Sequence, residues 1–482
     1  MPEIAINREW CKGCYICVSV CPHRVLEVDQ EAFDHGFHPV VAARPEDCTV
    51  CRQCELLCPD LAISVCDVGA RHSQQDIPQA ERLEIGEPSL AAARQGMPRP
   101  YGWTIVPSPL PPGPYFLQGD EACAEGAIAA GCNFYAGYPI TPASEILERL
   151  CARFAALPGK RVFAQMEDEI ASIASCVGAA WAGAKAMTAT SGPGISLMLE
   201  NLGYAIITET PLVIVDVQRA GPSTGQATRV GQGDFMQVRW GAHGDYELIA
   251  LAPWSVGEMY TETLRAFNLA ERFRVPVFLL ADEGVGHLRE NLTIPAEVRV
   301  FNRLGPVGRE APFGGRPVPP MPLFGEGQRL LVTGSTHDEW GYRRTSSAKV
   351  QAELTARLAT KVTDNLAEIE ASETCLCDDE RLDVLLVSFG FSARSALAAA
   401  RTARDAGHKV GLFRPRTVWP FPEAALKVVA AKSDRILVVE MNRGQMLREV
   451  QRVAPEARGY GKTDGEVIAP AEIWDAIREW LR

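Results

Sequence analysis

The chain has 482 residues, 47% of them hydrophobic, and a formal net charge of −12. That length is too great for one core and implies about three domains. No run of some 18 uncharged apolar residues occurs, and the opening MPEIAINREWCKGC has no apolar core of a secretory signal, so neither a membrane span nor export is expected. The acidic balance argues against a nucleic-acid surface.

Taken from the N-terminus, the chain first presents Cys11-x2-Cys14-x2-Cys17-x3-Cys21-Pro22, then Cys48-x2-Cys51-x2-Cys54-x3-Cys58-Pro59. Both runs match the bacterial two-cluster ferredoxin spacing, in which the fourth cysteine of each run ligates the other cluster. The expected [4Fe–4S] ligand sets are Cys11, Cys14, Cys17, Cys58 and Cys48, Cys51, Cys54, Cys21. Paired C-x2-C motifs also build zinc sites, and eight cysteines could pair as disulfides, but neither needs the third and fourth cysteine and the proline of each run. Cluster thiols without an export signal indicate a reducing cytoplasm. Residues 1–70 hold five Lys/Arg against eleven Asp/Glu, a net −6 that suits a redox face meeting a basic partner. They read as two copies of one unit: a short strand, a loop with three cysteines, and a helical turn opening at Cys-Pro.

Seven prolines between Pro98 and Pro114 preclude regular helix and favour an extended tether over residues 71–115. Residues 116–290 alternate helical stretches (Asp120–Ala130, Pro142–Ala156, Asp168–Ala182) with apolar strands (Pro211–Asp216, Pro276–Ala281), the pattern of a doubly wound α/β domain with a parallel sheet. Residues 291–380 read as a connecting arm, with one long helix over Ser347–Ser372. The last α/β unit, 381–482, has strands at Asp383–Ser388, Lys409–Phe413 and Arg435–Val439 and a helix from Ser392 to Gly407.

Three segments of the middle domain carry candidate chemistry. Tyr138-Pro139-Ile140-Thr141-Pro142 joins an apolar stretch to a helix; a helix start capped by Thr141 accounts for it, yet such a threonine also sits where open α/β sheets bind ligands. In Glu167-Asp168-Glu169, complementing a helix dipole explains the first two acids. Glu169 lies deeper, before an Ala/Gly-rich helix that lets a flat group approach, and a carboxyl there can exchange a proton with a heteroaromatic nitrogen. Thr190-Ser191-Gly192-Pro193-Gly194 is a sharp strand-to-helix turn, and Arg219 in Arg219-Ala-Gly-Pro-Ser-Thr-Gly225 is a surface arginine or a bidentate carboxylate binder. P-loop, Rossmann and hydrolase-elbow spacings do not occur in these loops. The eight histidines form no H-x3-H or H-E-x2-H pair, which sets aside a metal-dependent hydrolase.

These segments, together with Glu440-Met-Asn442-Arg-Gly444-Gln445-Met446, make nearly the whole chain resemble the 2-oxoacid:ferredoxin oxidoreductases, specifically an alpha-type subunit with a ferredoxin-like subunit fused at its N-terminus. The resemblance implies an α+β ferredoxin domain, a thiamine diphosphate pyrimidine-binding domain, and a transketolase C-terminal-like α/β domain around Arg414-Pro-Arg416-Thr-Val-Trp419-Pro420 whose role is mainly assembly. It implies an enzyme that converts a 2-oxoacid and coenzyme A to acyl-CoA, carbon dioxide and two low-potential electrons, using thiamine diphosphate and the iron–sulfur clusters. By position, Glu169 would hydrogen-bond the aminopyrimidine ring, and Thr141 and Arg219 would hold the substrate's oxoacid end. Tyr138, Pro139, Ile140, Thr190, Ser191 and Gly192 would line the cofactor. No Gly-Asp-Gly diphosphate motif occurs; Gln118-Gly-Asp120 and Gln232-Gly-Asp234 lack the last glycine. A beta-type subunit holding Mg2+ and the diphosphate is therefore expected, in a dimer of heterodimers. The acceptor would be a ferredoxin or a flavin-containing NAD(P) oxidoreductase subunit. The resemblance leans to 2-oxoglutarate, for which Arg229 is a candidate second cation, with branched-chain 2-oxoacids, pyruvate and indolepyruvate as alternatives. A non-catalytic electron-transfer adaptor would explain the cysteines but leave Glu169, Thr141 and Arg219 idle. Cys123, Cys132, Cys151, Cys176, Cys375 and Cys377 have no cluster spacing and read as structural.

Overall fold

The computed structural model describes residues 2–8, 11, 15–33, 38–51, 54, 58, 62–67 and 102–481. Cys14, Pro59 and residues 71–101 of the tether expected over 71–115 lie outside them. The chain forms two compact units, Met1–Ala93 and Arg94–Arg482.

In the first unit the strand Pro2–Ile6 pairs antiparallel with Ile63–Asp67, and Leu26–Val28 pairs with Val40–Ala42. Cys17, Leu26, Val40, Cys54, Ile63 and Val65 make its small core. In the first repeat the helical turn does not open at Cys21-Pro22. It spans Ile16–Val20, and Cys21 is extended with φ −74° and ψ 111°. The ring of Pro22 disfavours helical backbone at the preceding residue, so the helix must finish before it.

The second unit is built on a largely parallel sheet. In spatial order its strands are Thr417–Trp419, Ile249–Leu251, Pro276–Asp282, Leu212–Ala220, Ala186–Thr190, Phe134–Gly137 and Val162–Gln165. All neighbours are parallel except the first, where the C-terminal part of the chain adds Thr417–Trp419 antiparallel to Ile249–Leu251. Leu212–Ala220 and Pro276–Asp282 are buried along their whole length, because helices cover both faces and every side chain must be apolar or partnered. Val213, Val215 and Val217 point to one core with helices Gly119–Ala129, Ser144–Ala156 and Val256–Phe273. Leu212 and Ile214 point to the other, with Glu169–Trp181 and Gly192–Ile207.

A second sheet, ordered Ser372–Cys375, Val410–Pro415, Val384–Ser388, Ile436–Glu440, Arg458–Gly461, carries helices Gly390–Asp405 and Pro470–Leu481. It is fastened to the first by buried polar contacts. Arg414 of the strand Val410–Pro415, fully buried, donates to Glu258 in the first turn of helix Val256–Phe273 at 2.8 and 2.7 Å.

Three expectations are corrected here. From residue 102 on, the proline-rich stretch is not a tether: Gly102–Pro107 pairs with Glu297–Asn302, and Gly113–Gln118 with Arg289–Ile294. These are two-stranded ribbons with a free edge, where proline costs no ladder bond. The connecting arm accordingly shares its first strands with the segment before the sheet. Its long helix ends at Thr363, and after a short turn Leu366–Ile369 the chain becomes the strand Ser372–Cys375, since pairing with Val410–Pro415 outweighs local helix propensity. Thr141 does not cap a helix; the helix begins at Ser144 with Ala143 as its N-cap. Gln118, read as part of a near-motif, closes a capping box with Glu121, its amide donating to Glu121 Oε2 at 2.8 Å.

Candidate functional site

Open α/β sheets bind ligands outside the carboxyl ends of the strands where the winding direction reverses. Here the reversal lies at Phe134–Gly137, from which the chain winds outward to Val162–Gln165 and then back to Ala186–Thr190. The loops that leave these strands are Tyr138–Ala143, Met166–Asp168 and Ser191. Every residue singled out for the cofactor and substrate therefore falls at one end of one sheet.

Asp168 caps the helix Glu169–Trp181, accepting from the Ala171 amide at 2.8 Å. That fixes the first turn and rotates Glu169 inward while Glu167 stays exposed; Glu169 is only 4% exposed. Its carboxylate lies against the first turn of Gly192–Ile207. A Cβ on Gly194 would stand 2.6 Å from Glu169 Oε1 and 1.9 Å from Thr190 Oγ1, so glycine is required for this approach. Thr190 Oγ1 reaches Glu169 Oε1 at a long 3.4 Å, and buried Ser191 Oγ has no hydrogen-bond partner among the described residues. A buried carboxylate with one weak bond beside an unsatisfied hydroxyl fits a polar heteroaromatic group. Tyr138 is exposed at 43%, and Ile140 is half-buried.

Arg219 ends the fully buried strand Leu212–Ala220 and is itself 7% exposed, which removes the surface-arginine reading. Its Nη1 donates to the Thr141 carbonyl at 2.7 Å, so the two expected substrate-holding residues meet. Arg219 Nε is buried without a hydrogen-bond partner among the described residues. Arg229, by contrast, is exposed and paired with Glu466 at 2.7 Å. Beyond the eight cluster cysteines and Cys66, the thiols of Cys123, Cys132 and Cys176 are fully buried, and Cys151 is exposed.

Two site acids escaped sequence reasoning. Asp234 lies against Gly192, where a Cβ would come 3.0 Å from Asp234 Oδ2. Burial pushes its carboxyl up to about 6 against the pull of Arg219. Asp216, fully buried with neither oxygen hydrogen-bonded among the described residues, is held well above the usual carboxylate range by burial and by the neighbouring charge of Asp234. An acid at the first position of a strand's polar pair, Asp216-Val-Gln218, after an otherwise apolar run is the available signal. The loop carrying Asp234 is clamped by the C-terminal segment. Asn442 Nδ2 donates to the Gln232 carbonyl at 2.7 Å, Gln445 Nε2 to the Gly233 carbonyl at 2.6 Å, and the Met236 amide to Gln445 Oε1 at 2.9 Å. The motif near the C-terminus thus acts on the site by holding this loop.

In the first unit a cavity is lined by Cys21, Cys48, Cys51 and Cys54 with Ile4, His23, Val25, Leu26, Thr49 and Val65. These four thiols are one of the two expected ligand sets. The amide of Val25 donates to Cys21 Sγ at 3.3 Å and that of Ala62 to Cys58 Sγ at 3.2 Å, the same four-residue spacing in both halves of the repeat. Such N–H···S bonds orient cluster ligands and tune their potential.

Comparison with known proteins agrees with this layout. The family of pyruvate flavodoxin/ferredoxin oxidoreductase thiamine diphosphate-binding domains matches residues 125–357, pyruvate:ferredoxin oxidoreductase core domain II matches 382–473, and the 4Fe-4S dicluster domain matches 10–62. The 2-oxoglutarate synthase subunit KorA of Methanothermobacter marburgensis is 50% identical over 372 residues, 75% of this chain and 98% of that one. The ketoisovalerate oxidoreductase subunit VorB of Methanothermobacter thermautotrophicus is 38% identical over 75% of this chain and 97% of its own. A solved 2-oxoglutarate:ferredoxin oxidoreductase from Magnetococcus marinus, with 2-oxoglutarate, coenzyme A and succinyl-CoA bound, superposes with a TM-score of 0.72 at 30% identity, covering 77% of this chain and 66% of that one. No helix among the described residues is long and apolar enough to cross a membrane. The chain belongs to the 2-oxoacid:ferredoxin oxidoreductase family, as an alpha-type subunit with an N-terminal 4Fe-4S dicluster segment.

Proposed function

We propose that this chain is the alpha subunit of an enzyme that oxidatively decarboxylates 2-oxoglutarate with coenzyme A, giving succinyl-CoA, carbon dioxide and two electrons. The observation that carries it is the buried Glu169 carboxylate packed on Gly194 at the switch point of the sheet, with Arg219 bonded to the Thr141 loop beside it. Glu169, Thr190 and Ser191 would hold the aminopyrimidine ring of thiamine diphosphate, which when bound supplies the electron sink that decarboxylation of a 2-oxoacid needs. Glu169 holds or releases a proton at a ring nitrogen. Arg219 Nε is free to bind the substrate carboxylate, and the Thr141 loop sets where that guanidinium stands. Asp234, on which the Arg219 charge acts, and Asp216 beside it both have their carboxyls pushed up by burial, which favours a proton held between the two acids.

A beta-type subunit supplies the diphosphate half with Mg2+, and the assembly is a dimer of heterodimers. Cys11, Cys14, Cys17, Cys58 and Cys48, Cys51, Cys54, Cys21 would each hold one [4Fe–4S] cluster, which would supply single-electron carriers toward a ferredoxin or a flavin-containing NAD(P) oxidoreductase subunit in a reducing cytoplasm. The relative named for 2-oxoglutarate, at 50% identity, favours that substrate over the branched-chain acid of the relative at 38%.

The chain co-expressed anaerobically with a beta-type partner is expected to reduce viologen with coenzyme A and 2-oxoglutarate at the highest kcat/KM of a 2-oxoacid panel. A preference for 3-methyl-2-oxobutanoate would overturn the substrate, and inactivity with every 2-oxoacid would leave the adaptor reading. Cys21→Ser is expected to lower iron from about eight to about four atoms per chain, since one cube loses its crossing ligand. Loss of all iron, or of none, would contradict the crossed ligand sets.

A further inference from the structure

Three helix ends outside the site described above converge on a second group of ligating atoms. Asp120 is the second residue of helix Gly119–Ala129, Glu145 stands in the first turn of Ser144–Ala156, and His287 closes the short helix Glu283–Gly286. One carboxylate oxygen from each acid and one ring nitrogen lie within 4.8 Å of one another. His287 Nε2 is 3.6 Å from Glu145 Oε2, and Nδ1 is 3.3 Å from Glu283 Oε1.

Asp120 is 0% exposed, and neither of its oxygens has a hydrogen-bond partner among the described residues. His287 Nε2 is also buried without one. Burying a carboxylate costs several kcal/mol unless a cation or donors compensate it. The capping box at Gln118 and Glu121 fixes Asp120 in place, and the bare backbone of Gly286 closes over it: a Cβ there would stand 2.8 Å from Asp120 Oδ1. The unsatisfied oxygens of Asp120 and His287 Nε2 therefore face one another without a hydrogen bond among the described residues, the imidazole ring being the neighbour whose charge can offset the acids when no cation is bound.

We propose that Asp120, Glu145 and His287 form a binding site for one divalent first-row cation. Two carboxylate oxygens and one imidazole nitrogen are a donor set for a borderline-to-hard ion such as Mn2+ or Zn2+. Ligands about 2.0–2.2 Å from an ion stand roughly 3–3.6 Å apart, which the 3.6 Å separation of His287 Nε2 and Glu145 Oε2 already meets. Glu283 on Nδ1 completes a carboxylate–histidine–metal relay that fixes the ring tautomer. His287 and Glu145 are 28% and 36% exposed, which leaves the ion a way in. A bound cation would tie together the starts of two helices and the end of the strand-to-helix turn after Asp282, bracing the helix that follows Thr141.

The test is equilibrium dialysis of the full chain, prepared without thiamine diphosphate, against Mn2+, an ion that leaves cluster thiolates alone. About one Mn2+ per chain is expected to bind saturably, and Asp120→Asn and His287→Gln to weaken it by at least about tenfold. Glu283→Gln, which alters only the orienting carboxylate, is expected to weaken it by about tenfold with the fold intact by circular dichroism. No saturable Mn2+ binding, or Mn2+ affinity equal to wild type in Glu283→Gln and Asp120→Asn proteins that keep the wild-type spectrum, would overturn the site and leave an imidazolium salt-bridged to the three acids.

Discussion

Glu169→Gln is expected to lower 2-oxoacid turnover by at least about a hundredfold, the usual reach of one general acid–base group, while iron content and assembly stay unchanged. Glutamine keeps the shape that packs on Gly194 and can still accept from Thr190 Oγ1, so the first turn of helix Gly192–Ile207 has no reason to move. What it loses is the exchangeable proton. The same substitution should leave viologen-linked redox cycling of the clusters intact, because they are carried by the other compact unit. Steady-state kcat with saturating 2-oxoglutarate and coenzyme A, beside iron per chain, checks both halves. Turnover within threefold of wild type would remove Glu169 from the chemistry, and lost iron would make the effect structural.

How much of this site was readable in advance depended on whether its residues act through local chemistry or through tertiary approach. Glu169 was legible because Asp168 caps the helix and leaves its neighbour as the first helical residue, a purely local consequence of order along the chain. The cysteine runs were legible for the same reason, and the cavity formed by Cys21 with Cys48, Cys51 and Cys54 follows the crossed pattern. Arg219 was ambiguous, since nothing near it in sequence says that the strand before it is buried on both faces. Asp234 was noticed only as part of a failed Gly-Asp-Gly; its place against Gly192 depends on contacts from Asn442 and Gln445 more than two hundred residues away. The strands after residue 101 were masked by their prolines, which forbid a helix but not an edge pairing with Arg289–Asn302. At Cys21-Pro22 and Thr141-Pro142 the proline suggests a helix start, yet the helix ends at Val20 before the first pair and begins at Ser144 after the second.

Arg219→Lys should be the second costly change, although it conserves charge. The guanidinium spends Nη1 on the Thr141 carbonyl at 2.7 Å and keeps a buried Nε for a ligand, a division of labour that needs a planar fork. Lysine offers one compact ammonium, which must choose between the Thr141 carbonyl, the Asp234 charge and the substrate carboxylate. Losing one partner of a buried charged hydrogen bond costs about 2–5 kcal/mol, so kcat/KM for the 2-oxoacid is expected to fall by roughly thirtyfold to a thousandfold or more. Because the lost contact holds the substrate before and during decarboxylation, KM should rise with kcat also reduced, while KM for coenzyme A changes little. Arg219→Met removes the charge as well and leaves the Asp216–Asp234 pair without its cation, so its loss should exceed that of lysine. Equal kcat/KM in Arg219→Lys and wild type would mean that the guanidinium only props the Thr141 loop, and the substrate carboxylate would then have to be held from the partner subunit.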